Sequence, residues 1–387
     1  LFVTQVPIVT DFTTIGSTFG NHLGRMEAVG RGGDLWMRYP DGTLKNLTAA
    51  AGYGIATGVQ AGAKAIAVRD PAVHWSGTKA LFSMVQGAPT EQFDNTGQDA
   101  RWQIYEITGL GQNDTPVITK VSNQPAAFNN ISPIYGSDNR IIFTSDRPRN
   151  GADHLYPQLD EYELAPTVTG LWSLDPATAD LRLLNHAPSG DFTPSIDSYG
   201  RLIFTQWDHM QRDQQADADD DDSKGDNQCN DPGNRYGTFN YSDESAAATY
   251  ILGVRGEVFP EPRTCRQDLL AGTNLQGQDF NQFFPWMINQ DGTEGEILNH
   301  LGRHELHSYI ERAFNDDDNL VNFEGQLTRF NPNPILNLFQ IKEDGVVQGR
   351  YYGVDAPEFG THAAGQLVSL DAPPTLDLAL NRFEQQV

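Results

Sequence analysis

The stretch NHLGRHELHSYIERAF, residues 299–314, places three imidazoles and a carboxylate at His300, His304, His307 and Glu311. Leu306, Ile310 and Phe314 recur every four residues, which predicts a helix. On a helix the four polar residues share one face. Imidazole nitrogens with one carboxylate are ligands for a transition metal such as zinc, copper or iron. The spacing is not HExxH, so zinc-peptidase chemistry is not expected. His300 in ILNH occupies the same place after a strand-like run as His186 in LLNH. If His300 belongs to that turn, the set reduces to His304, His307 and Glu311. The alternative is a row of polar histidines lining a loop.

A second candidate lies in DHMQRDQQADADDDDSKGDNQCNDPG, residues 208–233. Alternate Asp217, Asp219 and Asp221, with Asp226 beyond, could offer oxygen ligands to Ca²⁺. The stretch departs from an EF-hand, because Asp222 stands where the loop needs Gly and no Glu closes it. The alternative is a solvated acidic loop held by a Cys229–Cys265 disulfide. A third set is Arg147, His154, Asp208 and His209, which follow equivalent apolar runs. Arg147 could hold an anion through two parallel hydrogen bonds, and His209 could act as acid or base near neutral pH. The alternative for Arg147 and Asp208 is the capping of strand ends.

Other chemistries lack their signatures. There is no nucleophile elbow, phosphate-binding loop or dinucleotide fingerprint, and GRGGD (residues 30–34) precedes a strand-like run rather than a helix. No CxxCH occurs, so a c-type haem would have to be supplied by segments or chains outside this sequence. With 26 basic and 51 acidic residues the net charge is −25, which repels nucleic acid and anionic membranes. No apolar run is long enough for a helical membrane span. A disulfide between Cys229 and Cys265 would imply an oxidising compartment, periplasmic or extracellular, and the alternative is two unrelated thiols.

The elements that must position these residues form a repeat. WSGTKALFSM, GSDNRIIFTS and DSYGRLIFTQ each run from a small polar turn through a basic residue to an apolar strand with Phe, and Phe82, Phe143 and Phe204 are evenly spaced. A partner element recurs between them in DLWMRYPDGTLKNLT, WQIYEITGLG, GLWSLDPATADLRLLN and PWMINQDGTEGEILN. A four-stranded unit recurring at this period predicts an all-β chain, a β-propeller of four-stranded blades with loop and short helical insertions. About five blades are visible, and six or more are expected when complete. The sequence reads as one propeller domain over residues 1–387, incomplete at both ends, with residues 208–281 as a long insertion. LFVTQVP reads as a second strand without its first, and QLVSLDAP as a third strand with no evident outer strand. Another chain or a missing segment is expected to complete the propeller.

PIYGSDNRIIFTSDRP and GLWSLDPATADLRLLN resemble the TolB-type, WD-like propeller repeat of bacterial envelope proteins, with Asp138, Phe143, Ser145, Arg147 and Trp172 at the matching places. LFVTQVP, RGGDLWMRYPDGTLKNLT, RDPAVHWSGTKALFSM, DRPRNGADHLYPQLDEYE and FTQWDHMQRDQQAD resemble the propeller region of relatives of the hydrazine synthase alpha subunit. That resemblance implies an exported, redox-associated propeller that scaffolds a haem or metal site or docks a c-type cytochrome. The TolB-like resemblance implies a non-catalytic binding or assembly propeller. A secreted metal-dependent lyase or hydrolase using His304, His307 and Glu311 is a third expectation.

Overall fold

The computed structural model describes residues 1–5, 29–54, 62–88, 100–147, 170–185, 190–209, 237–238, 251–252, 281–298, 338–355, 366–374 and 382–385. They fall into two compact units. The first is drawn from Leu1–Arg147, Thr169–Asn185 and Phe192–Pro194, and the second from Pro148–Val168, His186–Asp191 and Ser195–Val387.

In the first unit, sheet 1 contains β1 (Phe2–Val3), β2 (Leu35–Arg38) and β3 (Leu44–Asn46), followed by the one-turn helix α1 (Leu47–Ala50). Sheet 2 runs β4 (Ile66–Val73), β5 (Lys79–Gln86), β6 (Gln103–Thr108) and β7 (Val117–Lys120). Sheet 3 runs β8 (Asn130–Tyr135), β9 (Ile141–Ser145), β10 (Gly170–Asp175) and β11 (Asp180–Asn185). In sheets 2 and 3 spatial order equals chain order, and every neighbouring pair is antiparallel.

Sheet 4 contains β12 (Asp191–Ile196), β13 (Arg201–His209), β16 (Asn281–Asn289) and β17 (Glu296–Ile297). The two-residue strands β14 (Gly237–Thr238) and β15 (Ile251–Leu252) pair with each other inside the long β13–β16 connection. Sheet 5 runs β18 (Leu338–Glu343), β19 (Arg350–Asp355), β20 (Gln366–Asp371) and β21 (Arg382–Gln385). Strand β21 supplies the outer strand that the sequence after QLVSLDAP does not reveal.

Burial on both faces explains the composition of the second strands. Phe82 packs with Leu35 of sheet 1 and Leu47 of the helix that follows it, whereas its neighbour Leu81 packs with Phe143 and Trp172 of sheet 3. Successive side chains of a strand point to opposite faces. A strand covered on both sides therefore reads as a continuous apolar run, as ALF and IIF do. In the second unit Ile203 and Met287 pack with Ile341, Tyr351 and Leu370 in the same manner. Within each unit the antiparallel sheets stack face to face in chain order, as the blades of a β-propeller do.

The repeated Phe has a fixed partner. Phe143 lies opposite Trp172, Phe204 opposite Trp286, Phe82 opposite Tyr105 and Phe2 opposite Trp36. Aromatic pairs across strands are a main source of sheet stability. This register also fixes β1 as a second strand. The inner strands share a break. Asp70, Ser132, Thr193 and Gln340 all have positive φ, from 51° to 55°. The ladder slips between Arg69 and Ala72, between Ile131 and Ile134, and between Phe339 and Lys342. These are bulges, which bend the strand and re-aim a side chain. Among the described residues, no helix is long and apolar enough to cross a membrane.

Candidate functional site

Up-and-down connectivity separates two ends of each sheet. The turns between first and second strands, residues 74–78, 136–140, 197–200 and 344–349, are tight. The links between second and third strands, residues 87–102, 146–169, 210–280 and 356–365, leave from the opposite end.

At the link end of sheets 2 and 3 a buried polar frame holds the strand ends. The Asp146 carboxylate accepts from Asn129 N at 2.7 Å and Asn129 Nδ2 at 2.8 Å. Asn129 Oδ1 in turn accepts from Trp102 N at 3.0 Å. Gln124 closes a two-way bond with the Ile104 backbone, at 2.7 and 2.9 Å, and accepts from Asn130 Nδ2 at 3.2 Å. Ser145 Oγ donates to Asn130 Oδ1 at 2.8 Å. Buried polar groups of this kind are satisfied by one another rather than by water. Asp146 is therefore a strand-end cap.

Arg147 is held differently. Its backbone N donates to Ser145 Oγ at 3.2 Å, and its guanidinium lies over the Trp172 ring with Cζ 4.6 Å from the centroid. Stacking on an aromatic face leaves the edge of a guanidinium able to fork onto an acceptor. Of the candidate site residues proposed from the sequence, Arg147 is the one whose side chain is described. Asp208 and His209 end β13, with backbones opposite Gln282 and Asn281. His154, the set His300, His304, His307 and Glu311, the set Asp217, Asp219, Asp221 and Asp226, and both cysteines lie outside the described residues. Among the described residues, no three His, Cys, Asp or Glu side chains are grouped to hold a metal.

Sequence reasoning missed a polar line on the inner strands. Asp70 Oδ2 accepts from Ser132 N at 3.1 Å and Ser132 Oγ at 2.9 Å, so the bulge of β4 grips the bulge of β8. Arg69 Nε bonds the same oxygen at 2.7 Å, and its guanidinium lies 5.6 Å from the Trp102 centroid. Arg31 is buried, donating to Gly87 O and Val29 O at 2.8 Å each. Burial pulls its pKa down to about 10. The available signal was the dipeptide series Asp70-Pro71, Ser132-Pro133 and Thr193-Pro194. Each proline removes a ladder donor next to the kink.

The tight-turn end explains the repeated basic residue. Lys79 Nζ meets Glu106 Oε2 at 2.8 Å, and Tyr135 donates to that oxygen at 2.9 Å. Arg140 spans Ser173 Oγ at 2.7 Å and Asp180 Oδ2 at 2.9 Å. Hydrogen bonds from Arg182, and then Arg140, hold Asp180 below the usual carboxylate range. Arg201 Nε meets Asp197 Oδ2 at 2.8 Å, while Tyr351 OH donates to that oxygen at 2.8 Å and accepts from Arg201 Nη2 at 2.7 Å. Arg350 makes a two-pronged pair with Asp371 at 2.6 and 2.9 Å. Burial first, then hydrogen bonding to Glu106 for Tyr135, pushes the Tyr135 phenol above its ordinary range; burial does the same for Tyr351. In sheets 2 to 5 the base ties the second strand to its neighbours, a structural role.

These blades define the class, an antiparallel β-propeller of four-stranded blades. No family model and no curated protein matches the sequence. Among solved structures the chain is similar to hydrazine synthase of Kuenenia stuttgartiensis, with 11% identity over 91% of this chain and 35% of that chain, at a TM-score of 0.45. It is similar to TolB from Acinetobacter baumannii, with 11% identity over 68% of this chain and 48% of that one, at a TM-score of 0.27. Similarity to the acylaminoacyl peptidase of Pyrococcus horikoshii covers 85% of this chain and 47% of that one, with 9% identity and a TM-score of 0.30. The chain thus spans about a third of the hydrazine synthase chain and about half of each of the others.

Proposed function

We propose that the chain is an exported, redox-associated scaffold propeller whose working surface is the link end of its blades. There it docks a partner such as a c-type cytochrome, or holds a haem or metal contributed with that partner. The observation that carries this reading is the asymmetry between ends. The turns at residues 74–78, 136–140, 197–200 and 344–349 are short, whereas the links at 87–102, 146–169 and 210–280 are long insertions. Recognition concentrates in loops mounted on rigid frames, and the Asn129–Asp146 frame makes the mouth of one such link rigid. Further support comes from the sequence resemblance to hydrazine synthase alpha-subunit relatives. The repeated charged residues at the other end are engaged in holding strands together, which favours scaffolding over chemistry there.

The test replaces residues 210–280 by a short Gly-Ser turn, and separately makes Arg147→Ala. Binding of a reduced c-type cytochrome is then measured by calorimetry, with Soret absorbance and bound-metal analysis of the isolated chain. The expected result is micromolar binding that the replacement abolishes and Arg147→Ala weakens about tenfold, with no turnover by the chain alone. Binding unchanged by both alterations overturns the link-end assignment. A chain with no Soret band, no metal and no cytochrome complex overturns the redox association and leaves TolB-like assembly. Hydrolytic or lyase turnover lost on His304→Ala and His307→Ala would replace both with a metal-dependent enzyme.

A further inference from the structure

We propose that the exposed face of Trp75 is a stacking platform for a pyranose ring of a neutral glycan. Trp75 is 62% exposed on the tight turn between β4 and β5, whereas Trp102 and Trp172 are 1% and 2% exposed. The turn itself does not call for a tryptophan. His74 N bonds Lys79 O, and Gly77 N bonds His74 O. Gly136 with Arg140 and Asn139, and Asp197 with Arg201 and Gly200, close their turns through the same two bonds. The place after the first turn residue is Trp75 in sheet 2 but Ser137 and Ser198 in sheets 3 and 4. Serine serves the fold there twice, so the large exposed ring answers to something else.

The ring is held from behind. It stacks on His74 with centroids 4.0 Å apart and meets Tyr135 edge-on at 6.2 Å. His74 is buried and also meets Tyr135, at 4.7 Å. Ser76 N donates to His74 Nδ1 at 3.1 Å, so the ring proton sits on Nε2, which faces Asn139 Oδ1 at 3.4 Å. One face of the indole is packed and the other is open. A platform fixed in this way loses little ordering entropy on binding.

The surrounding groups specify what fits. Because His74 Nδ1 accepts, the Ser76 hydroxyl donates to it and accepts from the Thr78 hydroxyl at 2.8 Å. That leaves the Thr78 oxygen as an acceptor and the Asn139 amide as a donor, both on exposed residues. Lys79 and Glu106 pair with each other at 2.8 Å beneath the cluster. An anion is opposed by Asp138, exposed in the next turn. A cation is held best by several rings around its charge, but His74 and Tyr135 lie behind the indole. A protein anchor site is poor in serine, whereas Ser76 and Ser137 are exposed here. Val73 is exposed too, but it lies opposite Ala80 on the face toward sheet 1. A pyranose fits the remainder: its C–H face covers the indole, and its hydroxyls bond Thr78 and Asn139. An aromatic surface with a few orienting polar groups is the usual make-up of a small-ligand site.

The test labels the six tryptophans of the full chain with fluorine and titrates cellohexaose, following ¹⁹F resonances assigned by single substitutions. The expected result is a shift of the Trp75 resonance with a dissociation constant of about 1 mM. Binding should be lost in Trp75→Ser and weakened less than about tenfold in Trp75→Phe, which keeps a ring. Trp75→Ser installs the residue of the sister turns, so the variant keeps its fold, checked by unchanged amide exchange in β5 and β8. No shift at about 10 mM sugar, or binding that survives Trp75→Ser, overturns the proposal. An equal shift with tetramethylammonium also overturns it, making the platform a cation site. A Trp75 shift that follows protein concentration without sugar does so as well, making a second copy the occupant. The turn at residues 74–78 is distinct from the link end, so this inference and the scaffold reading can fail separately.

Discussion

Replacing Arg201 by Met should cost far more than the same change at Lys79, although the two residues hold the same place in the repeat. Arg201 is 12% exposed and its partner Asp197 is 0% exposed. Lys79 and Glu106 are 34% and 31% exposed. Removing one member of a buried pair strands a charge and costs about 3–5 kcal/mol. Asp197 keeps the Tyr351 hydroxyl and the backbone N–H groups of Tyr199 and residue 201, which places Arg201→Met near the lower figure, about 3 kcal/mol. A half-exposed pair is worth about 1 kcal/mol or less. With a urea slope of about 2–3 kcal/mol/M, the unfolding midpoint should fall by about 1 M for Arg201→Met and by less than about 0.5 M for Lys79→Met. Exchange mass spectrometry across a urea series reads each unit separately, through β13 and β5. Adding Asp197→Asn to Arg201→Met should recover more than half the loss, because it removes the stranded charge. Equal shifts for the two single variants, or no recovery in the double, would refute the assignment of burial as the deciding term.

Alkaline pH gives a second check. Burial pushes Tyr105 up to about 12, and Tyr135 and Tyr351 are also raised. A raised folded pKa means the stabilisation is intact below the unfolded value of about 10 and is lost as pH climbs from there toward 12. Arg31, lowered to about 10, acts in the opposite sense, since its burial cost fades above that pH. The expected outcome is a urea midpoint that falls above about pH 10, with phenolate absorbance at 295 nm appearing together with unfolding. Full phenolate titration in the folded protein near the ordinary tyrosine value would contradict it. Gly109→Ala should destabilise sheet 2 by more than about 1 kcal/mol, since φ is +72° and an added Cβ would sit 2.4 Å from Thr115 O. Thermal unfolding read at β6 tests it. Arg147→Ala should cost no more than about 1 kcal/mol in a urea melt, the worth of one partly exposed cation–π contact; a larger loss would make Arg147 a fold residue.

The blades were legible because the signal is periodic and local. Phe82, Phe143 and Phe204 mark second strands, and the apolar runs around them record burial on two faces. The turn-plus-base pattern was visible too, but its purpose was not, since beyond the nearby Asp197 the partners of Arg201 lie far along the chain at Tyr351 and Ala372. Strand β21 escaped notice because RFEQ carries one apolar residue, as suits an outer strand. The frame of Gln124, Asn129 and Asn130 was hidden for a different reason. Asn and Gln read as loop residues, and nothing in their spacing tells a turn from a buried network.

The prolines of the inner strands bear on how the chain survives its own synthesis. An inner strand emerges before the second strand that will pair with it, and in that interval it is a bare edge able to template another chain. Pro71, Pro133 and Pro194 each lack a donor, and the left-handed residue before each one kinks the backbone. A strand so interrupted cannot anneal to a straight neighbour over its whole length. It is accepted only by a second strand that makes room for the bulge. The kink therefore works as a gatekeeper while blades form one after another, and its cost in backbone strain is carried by every copy in which Asp70, Ser132 or Thr193 holds the position.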